Sequence, residues 1–261
     1  MQYVDVKIHE NVATLLMDRA GMRNSLNPQL IDDLKTAFSD VHQEKRVRAV
    51  VLAGSGEHFC AGIDLRVFGE IAALPTEEAL GQWHAAWWHL TELFEQMLRF
   101  PKPIVAAVDG SAIGAGLGLA LACDIIVPST RAHLGAGAVR VGLVGGATAA
   151  LLTFRAGGAT ASRMLLTSES VDADEAYRLN LTIAPVSSEH IWIAAKDAAQ
   201  KCSHGPYEAV QATKRLLNES IGETLMTQLT AGAADSATAC TTESAAEGIR
   251  SFLDKRVPKW P

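Results

Sequence analysis

The chain predicts an α/β fold followed by an all-helical tail, and three observations predict it. Strand-like and helix-like segments alternate as far as residue 186. Two buried apolar runs, VRAVVLAG and IVAAV, each lead into a glycine-rich turn. From His190 onward only helical periodicity remains. The division expected is a mixed core over residues 1–190 and a helical region over 191–261.

The elements follow in order. QYVDVKI and VATLLM read as two strands turned at Glu10-Asn11, and DRAGMRNSLNPQ as an irregular loop. Ser25 or Asn27 can cap a helix over Pro28 to Val41, with proline suited to its first turn. VRAVVLAG is a buried strand, and GSGEHFCAGIDL is the first glycine turn. A helix begins near Thr76, with Glu77 and Glu78 favourable at its positive end. IVAAV, Asp109-Gly110 and LGLALACD then give strand, turn and helix, with Gly114, Gly116 and Gly118 spaced through the turn and the helix start. DIIV is a strand, and HLGAGAVRVGLVGG leads into the helix ATAALLTFRAGG, closed by Gly157-Gly158. ATASRMLL is a helix, Asp172 caps a short one, and LTIAPV reads as a strand. IWIAAKDAAQKCS, YEAVQATKRLLNES, ETLMTQLTAGAADSATAC and TTESAAEGIRSFLDK complete the helical tail.

Composition narrows the function. The net charge of −6 and the lack of a basic block leave no electrostatic footprint for nucleic acid or an anionic membrane surface. No apolar run approaches the ~20 residues of a membrane span, and MQYVDVKIHE has no secretory apolar segment, so the cytoplasm is expected. Cys60, Cys123, Cys202 and Cys240 stand far apart, with no C-x-x-C pair, and indicate neither a metal site nor a disulfide framework.

The glycine turn at 114–118 carries the chemistry. Small residues at a helix start leave backbone N–H groups uncovered, and those groups attract charge that develops on a ligand oxygen. The turn is not a dinucleotide fingerprint, because Leu119 stands where the third glycine is required. A serine peptidase of the Clp type is a rival reading, but it needs a serine in the turn, and Ser111 lies before the helix start.

HFCAGIDL (58–65), IVAAVDGSAIGAGLGLALACDIIV (104–127), VRVGLVGGATAALL (139–152), LLTSESVDADEAYRLNLT and the loop MRNSLN together resemble the enoyl-CoA hydratase/isomerase (crotonase) family over nearly the whole chain. The resemblance implies a crotonase-like spiral of ββα units, a C-terminal oligomerisation region, and a homotrimer or a dimer of trimers. It implies an acyl-CoA thioester as substrate, with coenzyme A part of that substrate and no separate cofactor. Its two oxyanion donors fall on the backbone N–H groups of Ile63 and Ala115, the latter where relatives usually carry glycine. Ala61, Gly62, Asp64, Leu65 and Gly114 fall in the substrate-binding turns. Arg23, with Lys255 or Arg256, falls where ligand phosphates would lie.

The chain departs from the family where proton transfer is expected. The two hydratase glutamates fall on Gly118 and Ala138, and the isomerase alternatives on Gly145 and Gly146. Losing a general acid or base removes a factor of about 10² to 10⁴. Candidates to take over are Arg140, Glu70, His84 and His89. Arg140 follows Ala138 by two and on an extended segment would face the same side, as a holder of an acyl carboxylate or as a structural ion pair. Trp83, Trp87 and Trp88 lie beside His84 and His89, with His84 and Trp88 at i and i+4, as the wall of an acyl pocket or as a packed helix. Decarboxylase, isomerase or thioesterase chemistry, or binding of acyl-CoA without turnover, are the readings left open.

Overall fold

The computed structural model describes residues 1–220 and 223–261. Its frame is a five-stranded sheet in the order β1-β2-β3-β4-β6, comprising β1 (Val4–His9), β2 (Val12–Met17), β3 (Ala49–Gly54), β4 (Ile104–Val108) and β6 (Ile125–Pro128). The first two strands form an antiparallel hairpin, with Glu10 at φ 57 in its turn, and the other pairs are parallel. AVVLAG and IVAAV are apolar on both faces because both faces are covered. Val50, Leu52, Ile104 and Ala106 enter the main core, while Val51, Val105, Ala107 and Val127 pack against Ala195 and Ala199 of α7 (Ile191–Cys202).

A second, smaller sheet holds β5 (Ser111–Ile113), β7 (His133–Gly135) and β8 (Ser170–Asp172). Isolated parallel bridges, Leu26 with Ile63 and Cys60 with Ala112, extend this layer. Each turn of chain therefore runs through the large sheet, crosses to the small layer and returns by a helix, which makes a spiral. The helices are α1 (Pro28–Gln43), α2 (Leu65–Ala72), α3 (Thr76–Arg99), α4 (Ala115–Leu121), α5 (Gly146–Thr167) and α6 (Ala173–Arg178). The Asn27 side chain accepts from the Leu30 amide at 2.9 Å and so caps α1, and the Asp172 carboxylate accepts from Glu175 at 2.8 Å and caps α6. α5 breaks where the glycine pair predicts, at Gly157 (φ 76, ψ 166), and its second half continues to Thr167.

Three readings need correction. LTIAPV is not a strand. Its Ile183 and Val186 amides donate to Ile126 and Pro128 beside β6, but Pro185 has no N–H to extend the ladder, and only a bridge from Val186 to Ser129 forms. Ser111–Ile113, read as part of a turn, is a strand, and α2 was not separated from the turn before it. The tail continues with α8 (Tyr207–Arg215), a wider turn over Leu216–Ser220, α9 (Glu223–Ala239) and α10 (Glu243–Leu253). α9 packs against both α3 and α5, and α10 against α2. No helix of the described residues is long and apolar enough to cross a membrane.

The spiral brings the two glycine turns into backbone contact. A Cβ on Gly116 would collide with the Cys60 carbonyl, and main chain cannot yield as a flexible side chain does. Gly116→Ala is expected to destabilise the protein by about 1–3 kcal/mol. Chemical denaturation would detect it, and an unchanged midpoint would contradict the contact.

Candidate active site

Between the two turns, the 3₁₀ turn at Ala138–Val141, the start of α5 and the end of the tail lies a cavity of about 530 Å³. Ile63 and Ala115 both line it. The strand-like segment 61–64 fixes the first amide: the Ala61 amide donates to the Arg23 carbonyl (3.0 Å) and the Asp64 amide to the Leu26 carbonyl (2.8 Å), which leaves Ile63 between them. Ala115 is the first residue of α4, where a helix has no internal acceptor to offer. Among the described residues, neither amide donates to a protein acceptor. Gly62, at φ 93, keeps the turns close: a Cβ there would lie 2.6 Å from the Ile113 carbonyl oxygen and 3.4 Å from the Ala115 nitrogen.

The sequence candidates divide. Ala61, Gly62, Leu65, Gly114, Arg140 and Arg256 line the cavity together with the two amides. Glu70 and His84 do not. The buried face of α2 is Leu65, Phe68 and Ile71, and that of α3 includes Trp83 and Trp87, so both titratable groups point to solvent. Of the three tryptophans, Trp87, 6% exposed, lines the cavity, whereas Trp83 is buried elsewhere in the core and Trp88 is 48% exposed. His89 Nε2 lies 3.0 Å from Asp32 and away from the cavity. The Arg23 and Lys255 side chains are exposed and do not line it. Nor does Ser111, the serine of the peptidase reading. Asp64 has a structural place: its buried carboxylate caps α2 and takes Arg19 and Arg66, each at 2.8 Å.

Comparisons with known proteins meet this geometry. The family model described as enoyl-CoA hydratase/isomerase matches residues 7–261. This chain belongs to the enoyl-CoA hydratase/isomerase family. It is 31% identical to the 2,3-dehydroadipyl-CoA hydratase of Escherichia coli over 266 residues, covering 99% of this chain and 98% of that one. It is 32% identical to the (E)-benzylidenesuccinyl-CoA hydratase of Thauera aromatica over 214 residues, covering 81% and 80%. The crystal structure of an enoyl-CoA hydratase from Mycobacterium avium superposes with a TM-score of 0.86 at 26% identity, covering 99% of each chain. The spiral is therefore the crotonase fold.

The positions at which the sequence resemblance places proton-transfer glutamates in relatives are closed or bare here. A side chain at Gly118 would meet Phe94 and the Thr148 hydroxyl, each at 2.9 Å. Ala138 and Gly145 line the cavity without functional groups, and among the described residues no carboxylate or imidazole does so. Arg140 sits on a 3₁₀ turn and not on an extended segment, yet it reaches the cavity, and among the described residues it makes no ion pair. Arg256 is held by Glu247 through two bonds of 2.6 and 2.9 Å. Thr148, Ser168, Ser170, Ser251 and Phe252 are among the other lining residues, and sequence reading named none of them as a site residue.

Burial pushes the Asp64 carboxyl up, but hydrogen bonds from Arg66 and Arg19 outweigh it and hold it at about 2. A depressed carboxyl contributes stability above its unfolded value, near 4, and loses it as pH falls towards 2. Asp64→Asn keeps a cap but loses the charge. Its melting temperature should lie below the parent's at pH 7, with the gap closing between pH 4 and pH 2. A constant gap across that range would remove the charge from the account.

Proposed function

We propose that the chain binds an acyl-CoA thioester with its carbonyl oxygen between the amides of Ile63 and Ala115, which stabilise the negative charge that develops there as an enolate or a tetrahedral oxyanion forms. The observation that carries this reading is the pair of amides without a protein acceptor at one cavity. Donors already fixed in place need no reorganisation as charge appears, which is why such pairs are effective. The names of the relatives are those of hydratases acting on acyl-CoA thioesters, which fits a thioester ligand. The assembly that accompanies the proposal is a homotrimer, alone or paired, which sedimentation would test.

The reaction class follows from what surrounds the amides. Hydration and double-bond migration need a side chain to move a proton, and the described lining offers arginine, serine and threonine instead. Decarboxylation or thioester hydrolysis places its charge on the same oxygen and can exchange protons with water. Binding without turnover is the second reading, favoured by Phe94 and Thr148 occupying the space beside Gly118.

Incubation with crotonyl-, malonyl- and acetyl-CoA, followed by thioester absorbance and mass, tests the scheme. Crotonyl-CoA hydration should fall about 10²- to 10⁴-fold short of a glutamate-equipped hydratase, and ordinary hydratase rates would overturn the reaction class. Ala115→Pro deletes one amide at a position where proline suits a helix. It should reduce any turnover about 10²- to 10³-fold with the circular dichroism unchanged.

A further inference from the structure

The cavity has an aromatic wall that the proposed chemistry does not use. Trp87, Leu90 and Phe94 share the buried face of α3 at intervals of three and four residues, and the first two line the cavity. The Trp87 ring is held from two sides. Its indole Nε1 donates to the Cys240 Sγ at 3.4 Å, and the Phe68 ring meets it edge-on, with centroids 5.2 Å apart and planes at 87°. A ring fixed in this way does not yield to a ligand as a flexible side chain would.

Two paths through the fold connect this ring to the two amides. From Ala115, Gly118 lies one turn along α4, a Cβ there would meet the Phe94 ring at 2.9 Å, and Trp87 stands seven residues back along α3, about 10 Å. From Ile63, α2 begins two residues on at Leu65, and Phe68, about 5 Å further along that helix, carries the ring that meets Trp87. Leu65 and Leu90, one on each path, are apolar and line the cavity. Both paths put the Trp87 ring on the order of 10 Å from the amides. A chain that starts at the carbonyl carbon and stops one van der Waals contact short of the ring, about 4 Å, holds about six carbons at roughly 1.25 Å each.

We infer that Trp87 is the stop for the acyl chain, so that the site takes acyl-CoA thioesters with an apolar chain of about six carbons or fewer. This rests on the acyl-CoA reading above and specifies its substrate class. Each methylene that slides along Leu65 and Leu90 leaves water and tightens binding. The next one beyond the limit has to push the indole off Cys240 and Phe68 or turn back towards solvent, and gains nothing.

Calorimetric titration with butyryl-, hexanoyl-, octanoyl- and decanoyl-CoA tests it. The parent protein should bind hexanoyl-CoA about tenfold more tightly than butyryl-CoA, with no further gain for the two longer chains. Trp87→Leu should extend the gain to octanoyl-CoA, about tenfold over the parent, and leave butyryl-CoA within about twofold. Trp87→Phe keeps a ring against Phe68 and should move the limit the same way by a smaller step. Trp83→Phe disturbs the same aromatic cluster from outside the cavity, since Trp83 meets Phe68 at 4.9 Å without lining it, and should leave the limit at hexanoyl-CoA. Affinity that climbs steadily to decanoyl-CoA in the parent, or a limit that neither Trp87 variant moves, overturns the stop and leaves acyl-CoA binding intact. Failure of all four thioesters to bind overturns the two readings together.

Discussion

Two lengths of main chain, one from each glycine turn, lie too close for a side chain to fit between them, and the rest of the site depends on that approach. The Cys60 carbonyl occupies the space a side chain at 116 would need, and the Ile113 carbonyl occupies the space a side chain at 62 would need. The bridge from Cys60 to Ala112 holds the turns in register, with Cys60 donating to Ser111 and accepting from Ile113. Such contacts are hydrogen-bonded backbone on both sides, so they resist displacement more than a loop packed by side chains alone. The amides of Ile63 and Ala115 are left over from this arrangement. One falls between two neighbours hydrogen-bonded to Leu26, and the other falls at a helix start.

Much of this was legible in the sequence, for identifiable reasons. Uninterrupted β-branched and alanine-rich runs read as strands buried on both faces. Asn27, Pro28 and Asp172 read as helix starts because capping is local chemistry, decided within four residues. The glycine turns were legible because only a missing Cβ permits that backbone approach. The rotational position of a side chain on its helix was not. Trp87 and Trp88 are adjacent, and which one faced the cavity depended on how α3 lies against α2 and α9, where Phe68 meets Trp87 edge-on at 5.2 Å. Glu70 and His84 were misplaced for the same reason. Ser168 carried no signal, because neither its left-handed backbone nor its unpaired hydroxyl can be read from the letters TSES.

The same packing fills the space beside Gly118. Phe94 from α3 and Thr148 from α5 converge over Gly118, and the Thr148 hydroxyl bonds to the Gly114 carbonyl at 3.2 Å. That bond ties the start of α5 to the residue preceding the Ala115 amide. The space therefore supports the geometry of one donor instead of holding a titratable group. Restoring a carboxylate at 118 would require moving a buried aromatic ring and breaking this tie together, so a single substitution there disturbs the donor it is meant to assist.

The tail decides which charge at the cavity is available to a ligand. Gly248 packs α10 against the Val141 carbonyl, close to the turn that carries Arg140. Within α10, Glu247 accepts from both terminal nitrogens of the Arg256 guanidinium and from the Lys259 amide at 2.7 Å, which folds residues 256–259 back on the helix. Hydrogen bonds from Arg256 and the Lys259 amide hold the Glu247 carboxyl down at about 2, so the pair is ionised at neutral pH. An anion recruiting Arg256 would have to displace a bidentate carboxylate already in place, while one recruiting Arg140 displaces only solvent. The two arginines stand at one cavity, and among the described residues only Arg140 is without an ion-pair partner.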